Sequence, residues 1–323
     1  MQKVVVLGAG LIGKAIAIDL CKNYQVTSVD LNRDNLKQLE ERHPIHTIEA
    51  DVSDKRSVEQ LVKGCDLVIG AVPGFLGLNT LKAVIESGKN IVDISFFDGD
   101  PFELDLLAKE HNVTAVIDCG VAPGLSNMLL AYHYQKINLT DFTCYVGGLP
   151  MERYLPFQYK APFSPVDVLE EYIRPVRMME AGKVVTRPAL SEPEYIEFPK
   201  IGTLEAFNTD GLRTLLQTMP LANMKEKTLR YPGHRELMES LRNTGFLEKD
   251  ALEIEGVSVR PLDVTAQLLL PKWKLMPNEE EFTVMQIVME GQGKAKTEKI
   301  KYYLFDRFDQ ATQTSSMART TGY

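Results

Sequence analysis

The chain has 323 residues, 44% of them hydrophobic and 25% charged, a globular balance that excludes a disordered or fibrous protein. That length exceeds what one hydrophobic core normally serves, so two domains are expected. A formal net charge of -8 argues against a general affinity for nucleic acid or for anionic membrane surfaces.

Cys21, Cys65, Cys119 and Cys144 form no C-x-x-C pair, which fits separate reduced thiols and a cytoplasmic protein. Met1 leads into an apolar strand pattern without a basic n-region, so no signal peptide is expected. The most apolar stretch, 67–78, is broken by Gly and Pro and is too short to span a bilayer.

In chain order, residues 3–7 read as a buried strand, 11–23 as a helix with Ile12, Ala15, Ile16 and Leu20 on one side, and 25–30 as a strand. The alternation continues with a helix at 33–42, strand 45–49, helix 54–63, strand 66–72, helix 77–87, strand 90–94, helix 101–111 and strand 113–117. Six strands alternating with helices predict an α/β, doubly wound parallel sheet covered on both faces. After about Tyr134 the pattern changes. "TCYVGGLP", "EYIEFPKIGTLEAF", "FTVMQIVMEG" and "IKYYLFDRFD" predict an antiparallel sheet, with helices near 165–180, 210–218 and 234–243. Residues 292–299, "QGKAKTEK", read as a solvated hairpin turn. The expected organisation is a nucleotide-binding domain over 1–127, an α+β substrate and oligomerisation domain over 128–310, and a segment at 311–323 returning toward the first.

Residues 7–15, "LGAGLIGKA", carry Gly8, Gly10 and Gly13 in the G-x-G-x-x-G spacing. A preceding strand, a following helix and Asp30 closing "VTSVD" complete a dinucleotide-binding fingerprint. Gly8 permits the tight turn, Gly10 lets backbone amides approach a pyrophosphate, and Gly13 lets helix and strand pack closely. Leu11 and Ile12 supply the helix N-terminus that favours the negative charge. Asp30 is expected to accept from the adenosine ribose hydroxyls and to repel a 2′-phosphate, favouring NAD, although Arg33 keeps NADP open. Further strand ends expected to line the cofactor crevice hold Asp51 and Val52, "AVPG" (Ala71, Val72, Pro73, Gly74), Asp93 in "DISF", and Pro123 in "DCGVAPG".

"GVAPGLSNML", "YVGGLP", "TLRYPGH" and "SSMARTTGY", in that order along the chain, resemble the saccharopine dehydrogenase family, the first of them its lysine 6-dehydrogenase branch. Saccharopine reductases typically carry an "LDPGIDH" segment, a Tyr after the fifth strand and a Cys before "GGLP". Here those places hold Ala122, Phe96 and Val146. Three polar groups are thus missing, which suits a substrate smaller than saccharopine, with Phe96 and Ala122 beside it. The resemblance implies NAD-dependent oxidation of the ε-amine of free L-lysine to allysine, which cyclises, with release of ammonia.

Arg230 in "TLRY" is expected to grip the substrate carboxylate, because a guanidinium fork matches a carboxylate in two parallel hydrogen bonds. Proton acceptors for the amine are sought in His234 and Asp210, with Lys160 in "QYKAPFSP" as a secondary candidate for acid–base work. Each has a bland alternative. His234 could cap the helix after "PG", Asp210 sits in a common Asp-Gly turn, and Lys160 could be an exposed lysine. Glu170 and Glu171 are adjacent on a helix, about 100° apart, so they do not make a paired acid and base. Cys119 reads as a small hydrophobe, and the five histidines show no metal-ligand spacing, so no metal is expected.

"SSMARTTGY" stops where family members usually continue into a helix returning to the first domain, with Arg319 expected near the cofactor mouth or in a frayed tail. Rival readings are a saccharopine or carboxyspermidine-type reductase and a non-catalytic NAD-binding protein. A homodimer or higher homo-oligomer is expected, because an antiparallel sheet needs its open face covered.

Overall fold

A computed structural model describes residues 1–161, 165–276, 279–293 and 296–323. It divides into two units, Met1–Gly124 with Ala318–Tyr323, and Leu125–Met317.

The first unit runs β1 (Lys3–Leu7), α1 (Leu11–Leu20), β2 (Gln25–Asp30), α2 (Arg33–Arg42), β3 (His46–Glu49), α3 (Lys55–Val62), β4 (Leu67–Gly70), α4 (Gly74–Glu86), β5 (Ile91–Asp93), a 3₁₀ turn at Pro101–Leu104, α5 (Asp105–Glu110) and β6 (Ala115–Val116). All pairings are parallel and the strand order is β3-β2-β1-β4-β5-β6, the doubly wound arrangement expected. Its strands are apolar on both sides because helices cover both faces. Val5, Leu7, Val68 and Ile91 pack with α3 and α4 residues, whereas Val4, Val6 and Val26 pack with α1 and α2 residues. The strand order reverses between β1 and β4, and the crevice at the carboxyl ends there is where such sheets bind ligands.

The second unit contains α6 (Leu125–Tyr134), β7 (Asn138–Pro150), α7 (Pro165–Glu171), β8 (Val176–Glu180), β9 (Lys183–Arg187), β10 (Glu194–Phe198), β11 (Gly202–Asn208), α8 (Leu215–Thr218), β12 (Asn223–Arg230), α9 (His234–Asn243), β13 (Leu252–Ile254), β14 (Val257–Val259), α10 (Pro261–Trp273), β15 (Glu281–Gln292) and β16 (Thr297–Arg307). The last helix, α11 (Ser316–Gly322), begins in this unit and ends in the first. The main sheet has the order β10-β11-β12-β7-β15-β16, with the β8–β9 hairpin joined to β12.

Three expectations are corrected. The sheet is mixed, because β12 pairs with β7 in parallel over Asn223↔Asp141 to Thr228↔Val146. The helix foreseen over 165–180 ends at Glu171, since Pro175 cannot continue it. A hairpin follows instead, turning at Ala181 (φ 48°) and Gly182 (φ 75°), the two positive φ values a two-residue hairpin loop requires. The helix foreseen over 210–218 shrinks to Leu215–Thr218, because Arg213 lies at φ 48° and Asp210 is tied elsewhere. The charged turn at 292–299 joins β15 and β16, which pair as far as Gln292↔Thr297; residues 294 and 295 lie outside the described residues.

Candidate active site

Every position expected to meet a dinucleotide lies at the carboxyl edge of the first unit's sheet, apart from Arg319 in α11. Gly8 has φ +102°, and a Cβ there would overlap the Ala71 carbonyl oxygen. A Cβ at Gly13 would overlap the Gly8 carbonyl oxygen, so these two glycines are required by packing of the turn, α1 and the start of the β4–α4 connection. Gly10 differs, because a Cβ there meets nothing within 4 Å. That position is open in the way a pyrophosphate approaching the backbone needs.

The helix N-termini tell the same story. Asn32 caps α2 by accepting from the Asp34 amide, and Asp54 caps α3 by accepting from the Arg56 and Ser57 amides. α1 and α4, which flank the reversal point, begin at Gly10 and Pro73 without any side-chain cap. Their first amides are left for an external acceptor, and the helix dipoles favour an anionic one. The residues present therefore fit a dinucleotide.

Asp30 ends β2 with Oδ2 accepting from the Ala9 amide at 2.6 Å and Oδ1 from the Asn32 amide at 2.7 Å. These bonds hold the carboxylate against the glycine turn. Arg33 is not turned toward the turn in this way: Nη1 and Nη2 donate to the two Glu40 carboxylate oxygens at 2.9 and 2.8 Å. Asp51 is exposed and accepts from the Ser53 amide, whereas Val52 packs on the core beneath α3 and α4. Val72 is buried, and Pro73 and Gly74 start α4. The peptide between Ala122 and Pro123 is cis, and Phe96 is half-buried next to buried Phe97.

Asp93 is fully buried at the end of β5. Its Oδ1 accepts from the Ser95 amide at 2.6 Å, while Oδ2 has no hydrogen-bond partner among the described residues. Burial, outweighing the Ser95 bonds and aided by the nearby Asp118 charge, pushes its carboxyl up to about 6. Asp93 is thus a charge-sensitive part of the sheet's carboxyl edge. Burial likewise pushes the Cys119 thiol up, which leaves it a poor nucleophile.

In the second unit a buried polar cluster surrounds Arg230, the last residue of β12. Arg230 is 2% exposed, and its guanidinium faces the Tyr159 ring at 4.5 Å. Nη2 donates to Glu171 Oε2 at 2.9 Å and to the Tyr159 hydroxyl at 3.5 Å, Nη1 to the Leu229 carbonyl at 3.0 Å, and Nε to the Tyr172 hydroxyl at 3.3 Å. Of these partners only Glu171 is reached by solvent, its side chain being 27% exposed. Arg230 is therefore not waiting empty for a carboxylate: one from its own chain already occupies it. In the sequence Glu171 is set aside as an acid–base partner because Glu170 beside it points about 100° away on a helix, and nothing local marks Tyr172 or Tyr159 as its companions on Arg230.

His234 opens α9, but the helix N-cap is Gly233 at φ +94° and no side chain caps it. The His234 ring turns inward, fully buried, with Nδ1 2.8 Å from the Phe157 carbonyl and Nε2 2.8 Å from the Tyr172 hydroxyl. Burial, reinforced by the Arg230 charge and opposed by the Phe157 bond, pushes its pKa down to about 3. With both nitrogens engaged, His234 supports Tyr172 and does not serve as the proton acceptor foreseen. Asp210 is corrected in the same sense. Its Oδ1 accepts from the Arg177 amide at 3.0 Å and Nε at 3.1 Å, and Oδ2 from Arg177 Nη2 at 2.8 Å, with Arg213 Nη1 at 3.7 Å. It staples β8 to the connection between β11 and α8. Lys160 is 13% exposed, lies 3.3 Å from Glu279 and 4.7 Å from the Tyr154 ring centre, and donates to the Lys274 carbonyl at 3.4 Å. It is a tethered lysine, neither snorkelling nor aimed at the Arg230 cluster.

A doubly wound sheet with an open glycine turn, joined to a mixed-sheet unit with a buried arginine, defines a two-domain dinucleotide-binding protein. Residues 4–145 match the saccharopine dehydrogenase NADP binding domain and residues 120–323 the saccharopine dehydrogenase C-terminal domain, so the chain belongs to the saccharopine dehydrogenase family. It is 25% identical over 287 residues to the mitochondrial alpha-aminoadipic semialdehyde synthase of Rattus norvegicus, covering 81% of this chain and 30% of that protein. It is 24% identical over 269 residues to the NADP(+), L-glutamate-forming saccharopine dehydrogenase of Saccharomyces cerevisiae, covering 78% of this chain and 60% of that one. The chain thus spans less than two thirds of either relative's length. The apo structure of saccharopine dehydrogenase (L-Glu forming) from Saccharomyces cerevisiae matches with a TM-score of 0.79 at 20% identity, covering 100% of this chain and 89% of that one. Homospermidine synthase from Legionella pneumophila matches with a TM-score of 0.63 at 12% identity, covering 99% and 82%. The first unit is thus an NAD(P)-binding domain. No helix among the described residues is long and apolar enough to cross a membrane.

Proposed function

We propose that the chain is an NAD-dependent amine dehydrogenase that oxidises the ε-amine of L-lysine, of the lysine 6-dehydrogenase kind. The observation that supports the reading is Arg230, a buried guanidinium in an aromatic setting that holds a single carboxylate, which in this structure is that of Glu171. Phe96, Ala122 and Val146, standing where saccharopine reductases carry polar groups, support the smaller substrate. Asp30 beside the glycine turn, with Arg33 held by Glu40, supports NAD over NADP. Gly8, Gly10, Gly13 and the uncapped starts of α1 and α4 would hold the nucleotide, which supplies the hydride acceptor when bound.

The overall change balances as lysine ammonium, oxidised cofactor and water giving the aldehyde, ammonium, reduced cofactor and a proton. Hydride leaves the ε-carbon only from the neutral amine, and a lysine amine has a pKa of about 10.4, so turnover is expected to rise toward alkaline pH. Purified protein is assayed by cofactor absorbance with L-lysine, ornithine or saccharopine, with NAD or NADP. Lysine turnover rising with pH supports the reading; turnover with saccharopine alone overturns it in favour of the reductase reading, which the names of the relatives favour. Assembly as a homo-oligomer is part of the proposal and is read by light scattering.

A further inference from the structure

β13 and β14 form a two-stranded sheet that pairs with no other strand among the described residues. The register is Leu252↔Val259, Glu253↔Ser258 and Ile254↔Val257, around a two-residue turn at Glu255 (φ 50°) and Gly256 (φ 79°). Cross-strand partners share a face and side chains alternate along each strand. Leu252, Ile254, Val257 and Val259 therefore stand together on one face, with Glu253 and Ser258 on the other. The chain leaves the apolar face open. Leu252, Ile254 and Val257 are 55, 54 and 60% exposed, and Glu253 and Ser258 on the reverse are exposed as well. A lone hairpin is marginal in water unless its apolar face packs on something, and contiguous exposed apolar side chains mark an interaction surface.

The charges at the two ends of the face select its cover. Glu255 lies at the turn, and Arg260, with extended backbone, continues β14 past Val259 at the opposite end. Arg260 Nε donates to Asp263 Oδ2 at 2.7 Å, but both side chains are more than half exposed, so this pair holds the guanidinium only weakly. We propose that the β13–β14 hairpin is a dimerisation surface, covered by the same face of a second copy of the chain with the two turns pointing in opposite directions. A two-fold axis between the faces, running across the strands, sets Glu255 of each copy at the Arg260 end of the other, making two opposite-charge contacts at once. Turns pointing the same way would bring Glu255 against its own counterpart. Asp250, Glu253 and Glu255 surround the face with negative charge, which disfavours an anionic membrane in the same place. The proposal rests on the homo-oligomer of the preceding reading, names its surface and does not depend on the substrate.

The test is sedimentation velocity of the full chain over a range of concentrations, with far-ultraviolet circular dichroism and NAD affinity as controls of the fold. The parent is expected to sediment at twice the mass of the chain or more. Ile254→Asp and Val257→Asp alter exposed positions outside the core, so they are expected to keep the parent spectrum and NAD affinity while the assembly halves in mass, its dissociation constant rising about a hundredfold or more. Glu255→Arg and Arg260→Glu are each expected to weaken association about tenfold, and the double variant to recover most of it, a rescue that a merely structural role for either residue would not give. Unchanged association in the two Asp variants overturns the proposal and leaves the homo-oligomer to another face. Losses that add in the double charge variant overturn the two-fold arrangement. A parent that is monomeric at every concentration overturns both this proposal and the homo-oligomer reading. Co-sedimentation of a monomeric parent with phosphatidylcholine vesicles would identify a lipid surface as the occupant, and likewise overturns the proposal.

Discussion

The Tyr172 hydroxyl donates to His234 Nε2 at 2.8 Å, and the direction is fixed, because the carbonyl of Phe157 facing Nδ1 can only accept and so places the ring proton there. The Tyr172 oxygen then accepts from Arg230 Nε. Burial, opposed by the Arg230 charge and helped by Glu171, pushes the Tyr172 phenol up to about 12, so it keeps the proton it donates. In nitrogen-labelled protein, His234 is expected as the neutral Nδ1–H tautomer, unchanged as pH falls past about 6.5, where a free histidine titrates. Titration near that value would break the assigned chain of donors. Tyr172→Phe is expected to cost about 1–3 kcal/mol by leaving two buried groups without a partner, read by denaturant unfolding.

His234 and Asp93 give opposite pH dependences. With a folded pKa of about 3 against an ordinary 6.5, His234 takes up its proton on unfolding. Its share of stability is whole above pH 6.5 and drains as pH falls toward 3, by about 1.4 kcal/mol per unit. Asp93, raised from 3.8 to about 6, is protonated in the fold when the unfolded chain is not. Its contribution is whole below 3.8 and is lost as pH rises through 6. Asp93→Asn is therefore expected to be more stable than the parent at neutral pH by about 1–3 kcal/mol, read by denaturant unfolding, with the gain vanishing toward pH 4. An unchanged difference across that range would show that Asp93 is not carrying a raised pKa.

The three glycines of the turn separate by role. Gly8→Ala and Gly13→Ala push a methyl into backbone oxygens and are expected to destabilise the fold by about 2 kcal/mol or more. Gly10→Ala meets open space, so its melting temperature without nucleotide should match the parent's while its NAD affinity drops about tenfold or more. Equal melting losses in all three variants would contradict the distinction.

Nucleotide preference is expected to turn on Glu40 as well as Asp30. Glu40 holds both terminal nitrogens of Arg33 and is also bonded by Thr47. Asp30→Ser with Glu40→Ala removes the repelling carboxylate and frees the guanidinium. The ratio of kcat/KM for NADP over NAD should rise at least about tenfold in the double variant, and more than with Asp30→Ser alone.

The nucleotide unit was legible because its signals are local. A strand, three glycines and a helix lie within eighteen residues of one another, and the burial of each strand shows as an unbroken apolar run. The mixed sheet was less so. Nothing local in "NMKEKTLR" says that it pairs in parallel with β7, and the β8–β9 hairpin hides behind a run that also suits a helix until Pro175 intervenes. The Arg230 cluster shows the limit most clearly. Its partners Tyr172, Glu171 and Tyr159 lie 58, 59 and 71 residues away in sequence. His234 and Asp210 are residue types that suit proton transfer, but type carries no information about burial or about which nitrogen faces a carbonyl.

Gly322 lies against Ile12 and Ile16 of α1, so the helix that presents the glycine turn is packed by residues some three hundred positions later. On a ribosome adding roughly 5–20 residues per second, α1 emerges on the order of tens of seconds before its last neighbour. Through that interval its apolar side stands without this cover, and the nucleotide cradle is a nascent surface for chaperones before it is a finished one. Truncating the final six codons should therefore lower soluble yield even where the second unit folds.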